Sequence, residues 1–293
     1  MNLLLKIAGI TACIATVSCN REPVPVNTPY EPGEIVFTAD NSFSASITTK
    51  TSEIDNLQST GFYASATTGT STEVSLWNSY RFTYSKDTEK YSGGRYWPVT
   101  NNGIHFYASN VDLAYSADGC YVEGVSATTK DVVCAYLEEP AWGVENALTF
   151  EHIFARIGSV KINAPDGYTV SAITITLKPY VSGNYNLKTG EWSELAFPSV
   201  SSVKTIASSA SILNDNNLWI VPGTYTLTAN YTLTKGSGDG SYSETFSKTA
   251  DVDFLPGKIT TIETTLPEGN ATDIVFSVSV TPWVSNPVDV TFQ

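Results

Sequence analysis

Charge is sparse in this 293-residue sequence: Asp, Glu, Lys and Arg make up 15% of it, and the acidic excess gives a formal net charge of −13. A surface of that sign repels phosphate backbones and anionic lipid, so nucleic acid is excluded as an electrostatic partner, and so are acidic headgroups. Histidine is scarcer still, with only His105 and His152. Catalysis needs several groups of perturbed ionisation within hydrogen-bond reach, and a lone histidine in a strand pattern is far more often a packing residue than a base. No GxSxG elbow, HExxH helix or Gly-rich phosphate loop occurs. The reading is a protein that is not an enzyme and carries no cofactor. No fixed repeat period appears, which excludes a solenoid or propeller.

Ser, Thr, Tyr, Val and Gly abound instead, the composition of exposed β-sheet. At this length the chain can hold two domains, each with its own core. Strand patterns fall at Gly61–Ala66, Tyr80–Tyr84, Ile104–Ala108, Tyr121–Val125 and Val132–Leu137. They resume at Val170–Leu177, Gly183–Leu187, Leu218–Val221 and Ile259–Leu266. Tyr225, Leu227, Ala229, Tyr231 and Leu233 alternate with Thr and Asn. The Gly- and Ser-rich run Lys235–Ser241 then predicts a hairpin returning along Tyr242–Ala250. Strands so spaced, without helices between them, predict an all-β antiparallel sandwich architecture. The two runs meet at Leu148–Ile162, where apolar spacing predicts one helical turn around His152–Arg156 between two strands. The division is placed there: 34–155 forms the first sandwich and 156–293 the second. Trp77, Trp97 and Trp142 are expected in the core or at sheet edges.

The first 18 residues read as a cleaved secretory signal. Lys6 precedes the apolar run Ile7–Val17, which is too short to cross a bilayer comfortably. Ser18 before Cys19, and polar Asn20-Arg21-Glu22 after it, resemble a bacterial lipoprotein box, with Cys19 the lipidated first residue. Thr16 departs from the bulky aliphatic usual there, and incidental placement of Cys19 near the cleavage point is the alternative. Residues 19–33, with four prolines from Glu22 to Gly33, form an extended tether. Cys120 and Cys134 remain in a chain that matures in an oxidising compartment. A disulfide between them and two buried free thiols are both open readings, and their spacing is not that of a redox or metal site.

Both ends of the chain carry long one-faced strands. Ile35, Phe37, Ala39, Phe43, Ala45 and Ile47 share one register, with a bulge or jog expected at Asp40-Asn41-Ser42. Ile274, Phe276, Val278, Val280, Val284, Val288, Val290 and Phe292 share another. Elsewhere, Asp251 and Asp253 lie on one strand face, where a solvated edge is the plainer reading than a Ca²⁺ contact. Tyr91, Tyr96 and Trp97 could stack on sugars, although core packing explains the same residues more cheaply.

Several motifs in order resemble the fimbrillin-like proteins of Gram-negative anaerobes. They are Arg95-Tyr96-Trp97-Pro98, Gly103-Ile104-His105-Phe106-Tyr107-Ala108 and Asp112-Leu113-Ala114-Tyr115. Phe150-Glu151-His152 running on to Ala155-Arg156 follows, then Asn184-Tyr185-Asn186-Leu187 with Trp192, Val221-Pro222-Gly223, Pro256-Gly257-Lys258 and Val280-Thr281-Pro282-Trp283. The resemblance implies two transthyretin-like β-sandwich domains in tandem and a subunit of a type V pilus or related adhesin. It implies transport as an outer-membrane lipoprotein to the cell surface, with the outer membrane and other pilus subunits as partners. A glycan or protein receptor on a host or bacterial surface is a further partner class.

In that family a trypsin-like protease removes the first strand, and a neighbour's C-terminal strand replaces it. Carried here, cleavage falls between Lys50 and Thr51, where the family usually shows Arg before the cut. Ile35, Phe37, Phe43 and Ile47 then leave, and Val284, Val288, Val290 and Phe292 form the donor. Burying those four departing side chains is worth on the order of 6–12 kcal/mol, comparable with a whole domain's stability, so a vacated groove demands refilling. Two rival readings stay open: an ordinary sandwich whose end strands are edges, and a carbohydrate-binding outer-membrane lipoprotein that does not polymerise.

Overall fold

The computed structural model describes residues 33–39, 57–69, 72–99, 103–127, 131–164, 166–197, 203–205, 218–236, 241–265 and 275–282. Within these the protein is nearly all strand. The first group comprises β1 (Glu34–Ala39), β2 (Phe62–Thr68), β3 (Val74–Ser85), β4 (Lys90–Tyr96), β5 (Ile104–Ser109), β6 (Ala114–Ser116), β7 (Gly119–Ser126), β8 (Val133–Glu138), β9 (Asn146–Leu148) and β10 (Glu151–His152). A single helical turn, α1 (Leu57–Thr60), precedes β2. The second group comprises β11 (Ala155–Asn163), β12 (Tyr168–Thr176), β13 (Ser182–Asn186), β14 (Trp192–Ala196), β15 (Val203–Thr205) and β16 (Leu218–Ile220). It ends with β17 (Gly223–Lys235), β18 (Tyr242–Phe254), β19 (Lys258–Thr265) and β20 (Val275–Pro282).

An eight-stranded sheet runs β10-β8-β5-β2-β3-β4-β1-β9. It wraps around an aromatic core in which Phe37 of β1 meets the rings of Phe82, Phe106 and Phe62 at 5.1, 4.9 and 6.1 Å. Two four-stranded sheets, β16-β11-β19-β20 and β15-β12-β17-β18, enclose a second core that includes Ile157, Val170, Leu227, Tyr231, Leu233 and Phe254. The predicted alternation of β17 is realised: Leu227, Ala229, Tyr231 and Leu233 are buried, and Lys235 pairs with Tyr242 where the hairpin closes.

A fourth sheet, β14-β13-β7-β6, draws strands from both sides of residue 155. It covers the outer face of β5 and forms a third core, where Tyr107, Leu113, Cys120 and Val122 meet Ile153, Phe154, Leu187 and Trp219. β5 therefore serves two cores, with Phe106 in one and Tyr107 in the other. That explains why all six of its residues are buried.

The structure overturns one expectation, qualifies a second and decides one open choice. The helical turn expected at His152–Arg156 is absent: β10 pairs with β8, and Ile153–Phe154 cross directly into β11. Their backbone partners are elsewhere, because Ile153 N donates to Val132 O at 3.1 Å and Phe154 O accepts from Gly257 N at 2.9 Å. Steps of three and four residues in so short a run reflect burial on successive faces, not helical periodicity. The antiparallel rule also has exceptions among the described ladders, since β1 runs parallel to β9 and β11 parallel to β19. Finally, Cys120 and Cys134 are both buried free thiols, on strands of different sheets. Burial pushes each thiol up to about 12.

Candidate functional site

The first strand is the element the sequence singles out, and its setting defines the candidate site. β1 is not an outer edge. On one side it runs antiparallel to β4, pairing Phe37 with Tyr91, Val36 with Ser92 and Glu34 with Tyr96, with a register slip between Glu34 and Val36. On the other side it runs parallel to β9, pairing Phe37 with Asn146 and Ala39 with Leu148. Alternation then sends Ile35 and Phe37 inward, at 1% and 0% exposure, while Val36 and Thr38 are half-buried on the other face.

The amino end of the strand is tied. Gly33 O accepts from Trp97 N at 3.2 Å, and the Glu34 carboxylate accepts from Gly94 N at 2.8 Å. Gly93, beside that contact, has no room for a side chain: a Cβ there would lie 2.9 Å from Arg81 O and 3.2 Å from the Phe82 ring. An ion pair links Lys90 with Glu145. Each of these is the sequence neighbour of a residue paired with Phe37, one on β4 and one just ahead of β9, so the contact spans the outward face of β1. Burying Ile35 and Phe37 alone is worth roughly 3–6 kcal/mol.

Other candidates resolve differently. Tyr91 and Trp97 are core residues, at 2% exposure each, as the plainer reading has them and not as sugar platforms; only Tyr96 of the three is exposed. Trp97 packs on Phe106 at 5.6 Å and on Trp142 at 6.5 Å, and Trp77 on Phe82 at 5.8 Å. Asp251 and Asp253 accept hydrogen bonds from Thr226 and Thr224 across the β17–β18 ladder, at 2.7 and 2.6 Å. Among the described residues no cluster of His, Cys, Asp and Glu has the makings of a metal site.

His105 is held between the Tyr136 hydroxyl and the Gly69 carbonyl, each at 3.0 Å. His152 Nδ1 lies 2.7 Å from the buried Asp131 carboxylate. Arg156 is buried nearby; burial lowers the pKa of its guanidinium, and Asp131 offsets part of that. His152 thus pairs with, and Arg156 feels the charge of, one acid that nothing in the sequence marks.

Cys19, Asp40-Asn41-Ser42, Phe43, Ile47, Lys50, Thr51, Val284, Val288, Val290 and Phe292 lie outside the described residues, as do the signal segment and nearly all of the tether.

The sequence profile of the fimbrillin-like family matches residues 45–283. The chain belongs to that family. No functionally curated protein gives a significant match. Among solved structures, a candidate cell adhesion protein from Bacteroides ovatus is 14% identical, with a TM-score of 0.41 over 87% of this chain and 98% of its own. A fimbrial assembly protein from Parabacteroides distasonis is 9% identical, with a TM-score of 0.38 over 86% and 98%. A candidate cell adhesion protein from Bacteroides thetaiotaomicron is 15% identical, with a TM-score of 0.34 over 80% and 94%. Family membership rests on the sequence profile, not on these distant likenesses.

Proposed function

We propose that this fimbrillin-like protein is a stalk, anchor or tip subunit of a cell-surface pilus, exported as an outer-membrane lipoprotein through Cys19. In this reading it is assembled by exchanging its first strand for a strand of a neighbouring subunit. Family membership supports a pilus-related, adhesive and non-enzymatic role. Segments 34–155 and 156–293 then act as two transthyretin-like sandwiches in tandem.

One observation carries the exchange reading: β1 is held between two strands of opposite sense and fills the aromatic core with Ile35 and Phe37. Its departure would open a slot with unpaired backbone on both flanks, and a strand from another chain could satisfy both flanks at once. Cleavage between Lys50 and Thr51 supplies the departure, and the alternating tail Val284–Phe292 supplies the replacement.

The test has two arms. Intact mass of protein from the cell surface should show a mature chain beginning at Thr51 in polymers and at lipidated Cys19 in precursors. Deleting Val288–Gln293 should leave a folded monomer that forms no polymer ladder; ladders of normal length would overturn the proposal.

A further inference from the structure

Two motifs noted in the sequence, and the residue that follows a third, converge on a residue that none of them contains. Glu73 lies just before β3, and its side chain is only 2% exposed. Thr67 of β2 donates to its carboxylate at 2.6 Å, and the Tyr107 hydroxyl of β5 lies 2.7 Å from both oxygens. Lys188 Nζ, from the turn between β13 and β14, reaches Oε1 at 2.6 Å. The Glu73 backbone is engaged as well: its N–H donates to Ala117 O at 2.9 Å, and its carbonyl accepts from the Tyr115 hydroxyl at 2.5 Å.

The far side of this contact is shaped to hold the lysine. Asn186 Oδ1 accepts from the amides of Lys188 and Thr189 at 2.8 and 3.1 Å, and Leu187 N donates to Cys120 O at 3.0 Å. Gly119, at φ 137°, passes beneath; a Cβ there would sit 3.5 Å from Lys188 Cβ and 3.6 Å from the Tyr107 hydroxyl. A buried carboxylate is strongly disfavoured unless it is paired and fully hydrogen-bonded, and here the donors come from β2, β5 and the hairpin turn.

We propose that Glu73 and Lys188 form a buried latch that pins the β13–β14 hairpin, which follows residue 155 in sequence, onto the strands that precede it. The latch belongs to a single chain and needs no partner, so it stands apart from the assembly reading.

Hydrogen exchange on the whole chain tests it, with Lys188→Met and Lys188→Arg beside the native protein. Lys188 is part-exposed, and its removal leaves Thr67 and Tyr107 on the carboxylate, so the Met variant keeps its fold. Exchange at Tyr185, Leu187 and Gly190 should quicken about tenfold or more in Lys188→Met while the centre of β17–β18 is unaffected. Lys188→Arg should retain most of the protection. Unchanged exchange in the Met variant would overturn the latch. So would equal quickening across β17 and β18, or an Arg variant as labile as the Met one.

Discussion

At the level of single residues, the pattern is that aromatic and acidic groups are held for opposite reasons. Phe37 is buried by three rings, so Phe37→Ala should lower the unfolding free energy by about 3–5 kcal/mol in a denaturant titration, provided β1 is still in place. Glu73 is held by charge and hydrogen bonds. Burial raises its carboxyl pKa, but the bonds from Lys188, Thr67 and Tyr107 outweigh this and leave it below the ordinary 4.5. A depressed carboxyl contributes stability that is present above its unfolded value and is lost as pH falls through its folded one. The stability gap between native protein and Glu73→Gln should therefore be full at pH 7 and shrink on acidification below about 4.5. Tyr107 and Cys120 face the same carboxylate, and burial with that charge raises both, so neither titrates in this window. The thiols give a further check: Cys120 and Cys134 should resist alkylation in native protein at pH 8 and react, without any reductant, once the chain is unfolded.

At the level of elements, the sequence reveals strands wherever one face is wet. β17 could be read residue by residue because Thr and Asn alternate with Leu, Ala and Tyr. β5 could be placed but not understood, since Ile104 to Ser109 are buried on both faces and alternation carries no signal there. β4, β6, β14 and β15 leave no mark in the pattern, and the one strand expected from Leu148 is two short pieces, β9 and β10; most are very short, and β4 carries Gly93-Gly94 inside a turn-like sequence. The candidate site was therefore half legible. Ile35 and Phe37 were visible from their spacing, whereas the flanks of their slot, β4 and β9, were not. The Lys90–Glu145 pair across β1 is exposed on both sides. Glu145→Gln should consequently change the melting free energy by less than about 1 kcal/mol, with the difference vanishing in high salt.

At the level of the molecule, length and the apolar spacing at Leu148–Ile162 lead the sequence reading to two halves, while the helical turn expected between them is absent. The sheet that joins strands from before and after residue 155 is not legible, because β7 and β13 pair only by tertiary contact. Neither is the pair Glu73–Lys188, which are 115 positions apart and unremarkable as letters. The parallel pairing of β1 with β9 has a temporal consequence. A polypeptide synthesised from its amino end presents Ile35 and Phe37 long before Asn146–Leu148 arrives to flank them. Until then β1 has at most one neighbour, so folding during synthesis passes through a stage in which this segment waits, sticky and half-lodged, for the middle of the chain to emerge.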